Sequence, residues 1–124
     1  SNGRVTIVAR NAEKSRKLAR RFRDVARVET ALEKAVAGAT LIVNATPIGQ
    51  HDDEQPMDVG LIQPSTAVFD LVYRRGGTPW VKAARNKGCP AADGLPMLLE
   101  QGALSFQRWF GIEPDREAMR QSLL

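Results

Sequence analysis

A chain of 124 residues with 43% apolar side chains can bury one modest core, and no apolar run approaches the ~20 residues that cross a bilayer. The net charge of +4 is compatible with an anionic ligand or a solvated basic face, and the single cysteine, Cys89, has no partner for an internal disulfide. With no basic–apolar–small leader pattern at the start, these features predict a cytoplasmic protein with no membrane partner.

Ser1-Asn2-Gly3 resembles an expression-vector scar and is set aside, which leaves residues 4–124 as one predicted domain. Val5-Thr-Ile-Val-Ala9 is a β-branched run that predicts a buried strand. Asn11 is a good helix cap, and Ala12 to about Phe22 has helical character. Ala26 to Glu29 predicts a brief strand. Thr30 is placed to cap a second helix through Leu32 and Val36 that stops at Gly38. Thr40-Leu-Ile-Val-Asn44 is the next strand, and its continuous apolar run predicts cover on both faces.

Residues 45–60 carry Pro47, Gly49, Pro56 and Gly60, which is loop chemistry. Within it, His51 with Asp52, Asp53 and Glu54 has no metal-site spacing and reads as a solvated tip, so no metal is expected. Ala67-Val-Phe-Asp-Leu71 predicts a third strong strand, Arg74 to Gly77 a turn, and Thr78-Pro79 the start of a helix that ends before Gly88. Cys89 itself reads as a small buried hydrophobe, and residues 89–92 as a short strand. Leu95, Leu98, Leu99, Gly102, Phe106, Trp109 and Phe110 recur at helical spacing, which predicts a long core helix stopped at Gly111. Pro114 to Leu124 reads as a final helix with Ala118, Met119 and Leu123 on one side.

Strand and helix alternate throughout. That pattern predicts an α/β fold, Rossmann-like, with a mostly parallel sheet and helices on both faces. Ligands of such sheets bind beyond the carboxyl ends of the strands, and four successive strand ends here carry Arg10-Asn11, Asn44 to Gly49, Asp70 to Tyr73 and Asp93-Gly94. The early basic cluster (Arg10, Lys14, Arg16, Lys17, Arg20, Arg21, Arg23 and Arg27) reads as a solvated helix face, a phosphate site or a nucleic-acid surface. No aromatic residue interleaves with it before Phe22, which argues against a single-strand stacking platform, and no nucleic-acid partner is expected.

In this order and spacing, Asn44-Ala-Thr-Pro-Ile-Gly49, Phe69-Asp-Leu-Val-Tyr73 with Thr78-Pro79, and Asp93-Gly-Leu-Pro-Met-Leu-Leu-Glu-Gln101 resemble the C-terminal NADP-binding half of shikimate dehydrogenase. The resemblance implies that Arg10 faces the adenosine 2′-phosphate, for which a flat guanidinium fork is suited, with Asn11 and Lys14 beside it. An acidic residue there would favour NAD instead, so NADP is the expected cofactor. It also implies that Asn44, Ala45, Thr46, Pro47 and Gly49 line the cofactor, with Leu71, Gly94 and Met97 bordering it. Tyr73 and Gln101 fall where the family contacts the substrate, shikimate or 3-dehydroshikimate. Asp70 reads as a structural turn cap.

No Gly-x-Gly-x-x-Gly turn occurs, and no lysine sits in the family's catalytic motif. The expectation is a fragment truncated at its N-terminus, with the first strand of the nucleotide fold and the substrate domain missing. It would hold no catalytic residue and no activity by itself. Loss of a central strand leaves sheet edges open, which predicts collapse, direct pairing of the flanking strands, or self-association. The competing readings are a quinate-using or NAD-preferring relative and a non-catalytic nucleotide-binding module. Tyr73, Gly94 and Gln101 speak against the second, because a pure cofactor module has no need of substrate-side groups.

Overall fold

The structure, a computed structural model, describes residues 3–123. Ser1 and Asn2 of the suspected scar, and Leu124, lie outside the described residues. The chain divides into two compact units, residues 1–39 and 40–124.

In the first unit, β1 (Val5–Ile7) and β2 (Ala26–Val28) pair in parallel, with Thr6 opposite Arg27. Arg27 Nε donates to Thr6 Oγ1 at 3.0 Å across that pair. Between the strands runs α1 (Ala12–Arg21). Its predicted cap is made: Asn11 Oδ1 accepts the Lys14 amide at 2.9 Å. Ala19 on α1 is buried, and α1 packs on β2. The second helix, α2 (Leu32–Val36), is not capped by Thr30 as expected. Ala31 holds the cap position without a side-chain bond, and Glu29 Oε1 instead accepts the amides of Thr30 and Ala31. A glutamate just before a helix start can reach amides that the Thr30 hydroxyl does not bond.

In the second unit, β3 (Leu41–Asn44), β4 (Ala67–Asp70) and β5 (Ala91–Ala92) form a parallel sheet in the order β3-β4-β5. Among the described residues of this unit, β3 does not show the predicted cover on both faces. Leu41 and Val43 are 54% and 47% exposed, while Ile42 and Asn44 turn inward, so the strand alternates as a half-covered one does. Helix α3 (Pro79–Asn86) starts where Thr78-Pro79 predicted, with Thr78 Oγ1 accepting the Val81 amide at 3.3 Å. Its Trp80, Val81 and Ala84 are buried, and the helix packs on β4 and β5. Cys89 is buried, as expected of a small hydrophobe.

The long helix, α4 (Leu95–Phe110), ends at Gly111 in the left-handed conformation, φ 70°. Its stripe is less buried than a core helix would have it: Ala103 is buried, but Trp109 is 76% exposed and Phe110 also faces outward, tilted on Phe106. The last helix, α5 (Arg116–Leu123), crosses it at Gly102, where an added Cβ would stand 3.2 Å from Met119 Cε. Asp115, unremarked in the sequence, caps α5 by accepting the amides of Glu117 and Ala118.

Candidate functional site

Parallel pairing with Asn44 opposite Asp70 and Phe69 opposite Ala92 brings the carboxyl ends of β3, β4 and β5 to one edge of their sheet. The loops leaving that edge enclose an open cavity of about 390 Å³. One wall is Ala45, Thr46, Pro47, Gln50 and His51; the other is Leu71, Val72 and Tyr73. Of the residues singled out from sequence, Ala45, Thr46, Pro47, Leu71 and Tyr73 therefore share one cavity. The small Ala45 and the proline ring give it a flat apolar side, and Thr46, Gln50, His51 and Tyr73 give it four polar side chains.

Below the cavity floor lies a buried polar cluster. Asp70, fully buried, accepts the Val72 amide at 3.1 Å, which is the turn cap expected of it. It does more than that. Its Oδ1 also accepts from Asn44 Nδ2 at 2.8 Å, and its Oδ2 accepts from the Thr78 hydroxyl at 2.8 Å. Asn44 is buried too, and its Oδ1 accepts both the amide (3.0 Å) and the hydroxyl (2.7 Å) of Thr46. Thr46 Oγ1 in turn accepts the Ile48 amide at 3.3 Å. So Asn44 supports the loop from beneath instead of lining the cavity.

Gly49 takes φ 86°, the left-handed region that glycine permits, and its amide donates to Asp52 Oδ1 at 3.1 Å. The acidic tip is exposed, as expected of a solvated loop. It is also tied down, because Arg74 Nη1 donates to the Asp52 carbonyl at 2.6 Å and to Asp53 Oδ1 at 3.1 Å.

Gly94 is buried where the β5–α4 turn meets the β4 loop. Its amide donates to the Val72 carbonyl at 3.0 Å, and a Cβ built on it would stand 2.3 Å from the Leu71 carbonyl oxygen. Its carbonyl accepts the Leu98 amide at 2.9 Å as the first rung of α4. Met97 and Gln101 are exposed one turn apart on α4 and are not among the cavity-lining residues.

Arg10, Asn11 and Lys14 belong to the first unit, at the end of β1 and the start of α1. Asn11 spends its side-chain oxygen on the helix cap. Arg10 is exposed, with no hydrogen-bond or ion-pair partner among the described residues. Gln50 and Val72 are cavity residues that the sequence did not single out, and His51, read there as part of a solvated tip, lines the cavity too. A signal for Gln50 and His51 existed, since both directly follow the Asn44–Gly49 stretch.

Comparison with known proteins points to one family. A family model described as the shikimate 5′-dehydrogenase C-terminal domain matches residues 94–124. The NADP-dependent shikimate dehydrogenase of Pyrococcus furiosus is 38% identical over 97% of this chain and 44% of its own length. The shikimate 5-dehydrogenase of Thermus thermophilus, solved in complex with NADP(H) and shikimate, is 38% identical with a TM-score of 0.80, over 94% of this chain and 44% of that one. Quinate dehydrogenase of Corynebacterium glutamicum, solved in complex with NAD, is 28% identical with a TM-score of 0.85, over 97% of this chain and 45% of that one. The 124 residues thus span less than half the length of these relatives.

Proposed function

This chain belongs to the shikimate dehydrogenase family, matching its C-terminal domain, and we propose that it is the NADP(H)-binding half of an enzyme that reduces 3-dehydroshikimate to shikimate. The observation that carries the reading is the cavity that gathers Thr46, Pro47, Leu71 and Tyr73 from two strand ends far apart in sequence. A slot lined about equally by apolar and polar side chains suits a flat ring bearing hydrogen-bonding substituents. The residues fit the cofactor: Ala45, Thr46, Pro47 and Leu71 would border the nicotinamide half, with Gly49 allowing the loop its turn. Arg10, with no competing acid, would take the 2′-phosphate, and Asn11 and Lys14 stand beside it on the same helix start. When bound, NADPH supplies the hydride. Tyr73 and Gln101 would hold the substrate, the phenol by a hydrogen bond to a carboxylate or hydroxyl.

Met97 and Gly94 support this arrangement differently. Gly94 fits the turn against Leu71, so it shapes the wall next to Tyr73; Met97 would cover the ring from α4. The chain spans 44% of its Pyrococcus relative, and by itself it is read as carrying no turnover. Residues 4–124 are read as part of one Rossmann-like nucleotide-binding domain.

Calorimetric titration of this chain with NADP+ and with NAD+ tests the reading. NADP+ binds more tightly, and Arg10→Ala raises the NADP+ Kd by about ten- to a hundredfold while leaving NAD+ nearly unchanged. Absence of NADP+ binding, or an equal loss for both nucleotides, would overturn it. A second reading is favoured by the likeness to quinate dehydrogenase with NAD: the substrate would be quinate. Steady-state kinetics of the full-length protein with both hydroxy acids and both cofactors separates the two.

A further inference from the structure

We infer that Asp70 is a positioning residue for the cofactor loop. It acts through Asn44 and orients the Thr46 hydroxyl from a site that touches neither cavity nor ligand. The buried carboxylate is an acceptor at both oxygens, so every group facing it must be a donor. Asn44 is the group this constrains most. Its side chain has one donor end and one acceptor end, and the contact of Nδ2 with Asp70 at 2.8 Å dictates which end points where. With the nitrogen held on Asp70, the amide oxygen is turned to Thr46, where it accepts both the backbone amide and the hydroxyl.

The consequence reaches the cavity. The Thr46 hydroxyl proton is committed to Asn44, and one lone pair receives the Ile48 amide, so the group can meet a ligand only as an acceptor. The ligand atom opposite it is therefore an N–H or O–H donor. At the other end, Thr78 gives its proton to Asp70 and its lone pair to the Val81 amide, which anchors the carboxylate to the start of α3. The carboxylate also caps Val72, one residue before Tyr73. One buried carboxylate thus sets both walls of the cavity, and an asparagine in its place would keep one oxygen for the Asn44 and Val72 donors but turn a donor on Thr78 and lose the charge that strengthens all three bonds.

The part of this inference that concerns nucleotide rests on the function proposed above; the part that concerns the loop does not. The test is residue-resolved amide hydrogen exchange on the chain, with NADP+ titration beside it. Asp70→Asn is compared with Ile62→Ala, a buried apolar truncation in the same unit that lowers stability and removes no hydrogen bond of the cluster. Exchange at the Thr46 amide rises about tenfold or more in Asp70→Asn, and the NADP+ Kd rises by a similar factor. Ile62→Ala leaves both near the parent values relative to its own global opening. Thr78→Val reproduces the Thr46 effect and Thr78→Ser restores it, which decides the matter even if Asp70→Asn fails to fold.

Unchanged Thr46 exchange in folded Asp70→Asn, or equal acceleration in Ile62→Ala, overturns the inference. A parent chain that binds no NADP+ would count against the proposed function, while the exchange arm still judges Asp70.

Discussion

Replacing Gly94 with alanine should damage both the fold and the cavity wall, and its size follows from one contact. The backbone at Gly94 has φ −74° and ψ −4°, which alanine adopts freely, so conformational strain contributes nothing. The added Cβ would lie 2.3 Å from the Leu71 carbonyl oxygen and 3.0 Å from its carbonyl carbon. The neighbour is backbone and cannot swing aside as a long side chain would. The two segments must part by about 0.7 Å before the Cβ reaches even the 3.0 Å limit of real contacts. Overpacking of this kind costs about 1–3 kcal/mol, and a backbone obstacle puts it at the upper end. The Gly94–Val72 hydrogen bond, 3.0 Å long, stretches with it and loses about 1 kcal/mol. Reduced freedom of the unfolded chain returns about 0.4–1 kcal/mol. The net loss is about 3–3.5 kcal/mol. Urea unfolding followed by tryptophan fluorescence reads it, because Trp80 is 1% exposed in this unit and Trp109 is already in solvent. The midpoint falls while the slope holds. Gly111→Ala is the contrast: nothing lies within 4 Å of its Cβ, so only the left-handed φ of 70° is strained, for about 1 kcal/mol. A Gly94→Ala variant within about 0.5 kcal/mol of the parent would refute the close-approach argument.

Two further outcomes are expected. Hydrogen bonds from the Ala31 and Thr30 amides hold the Glu29 carboxyl below its ordinary value. A lowered native pKa means stability that is fully present above the unfolded-state value and lost as pH falls through the native one. Helix α2 should therefore fray at acidic pH, and Glu29→Gln should remove that pH dependence; a backbone NMR titration of residues 30–36 that looks the same in both proteins would contradict this. The half-exposed Leu41 and Val43 lie on β3, the edge strand of its sheet, so the chain should self-associate as its concentration rises. Light scattering that finds only monomer across about a hundredfold range of concentration would dispose of the idea.

Much was legible in the amino-acid order because it depends on short-range chemistry. Asn11, Thr78-Pro79, Gly88 and Gly111 punctuate helices through bonds made within a few residues, and each does so here. The β-branched runs at residues 5–7, 41–44 and 67–70 became parallel strands, and parallel pairing alone predicts that their carboxyl ends carry the site. Thr46 and Tyr73, which share one cavity, could be named from that rule together with the family resemblance. The tertiary structure decided what depends on distant partners. Period and spacing could not tell that one face of β3 stays open, or that the apolar end of α4 at Trp109 is left in solvent, because burial is set by what else packs there. Nor could they tell that the Leu71 carbonyl leaves no room for a Cβ at Gly94. Asp70 is the clearest case. In sequence it is a plain turn residue; only pairing β3 against β4 brings Asn44, 26 positions away, onto its carboxylate and makes one buried side chain the organiser of both loops.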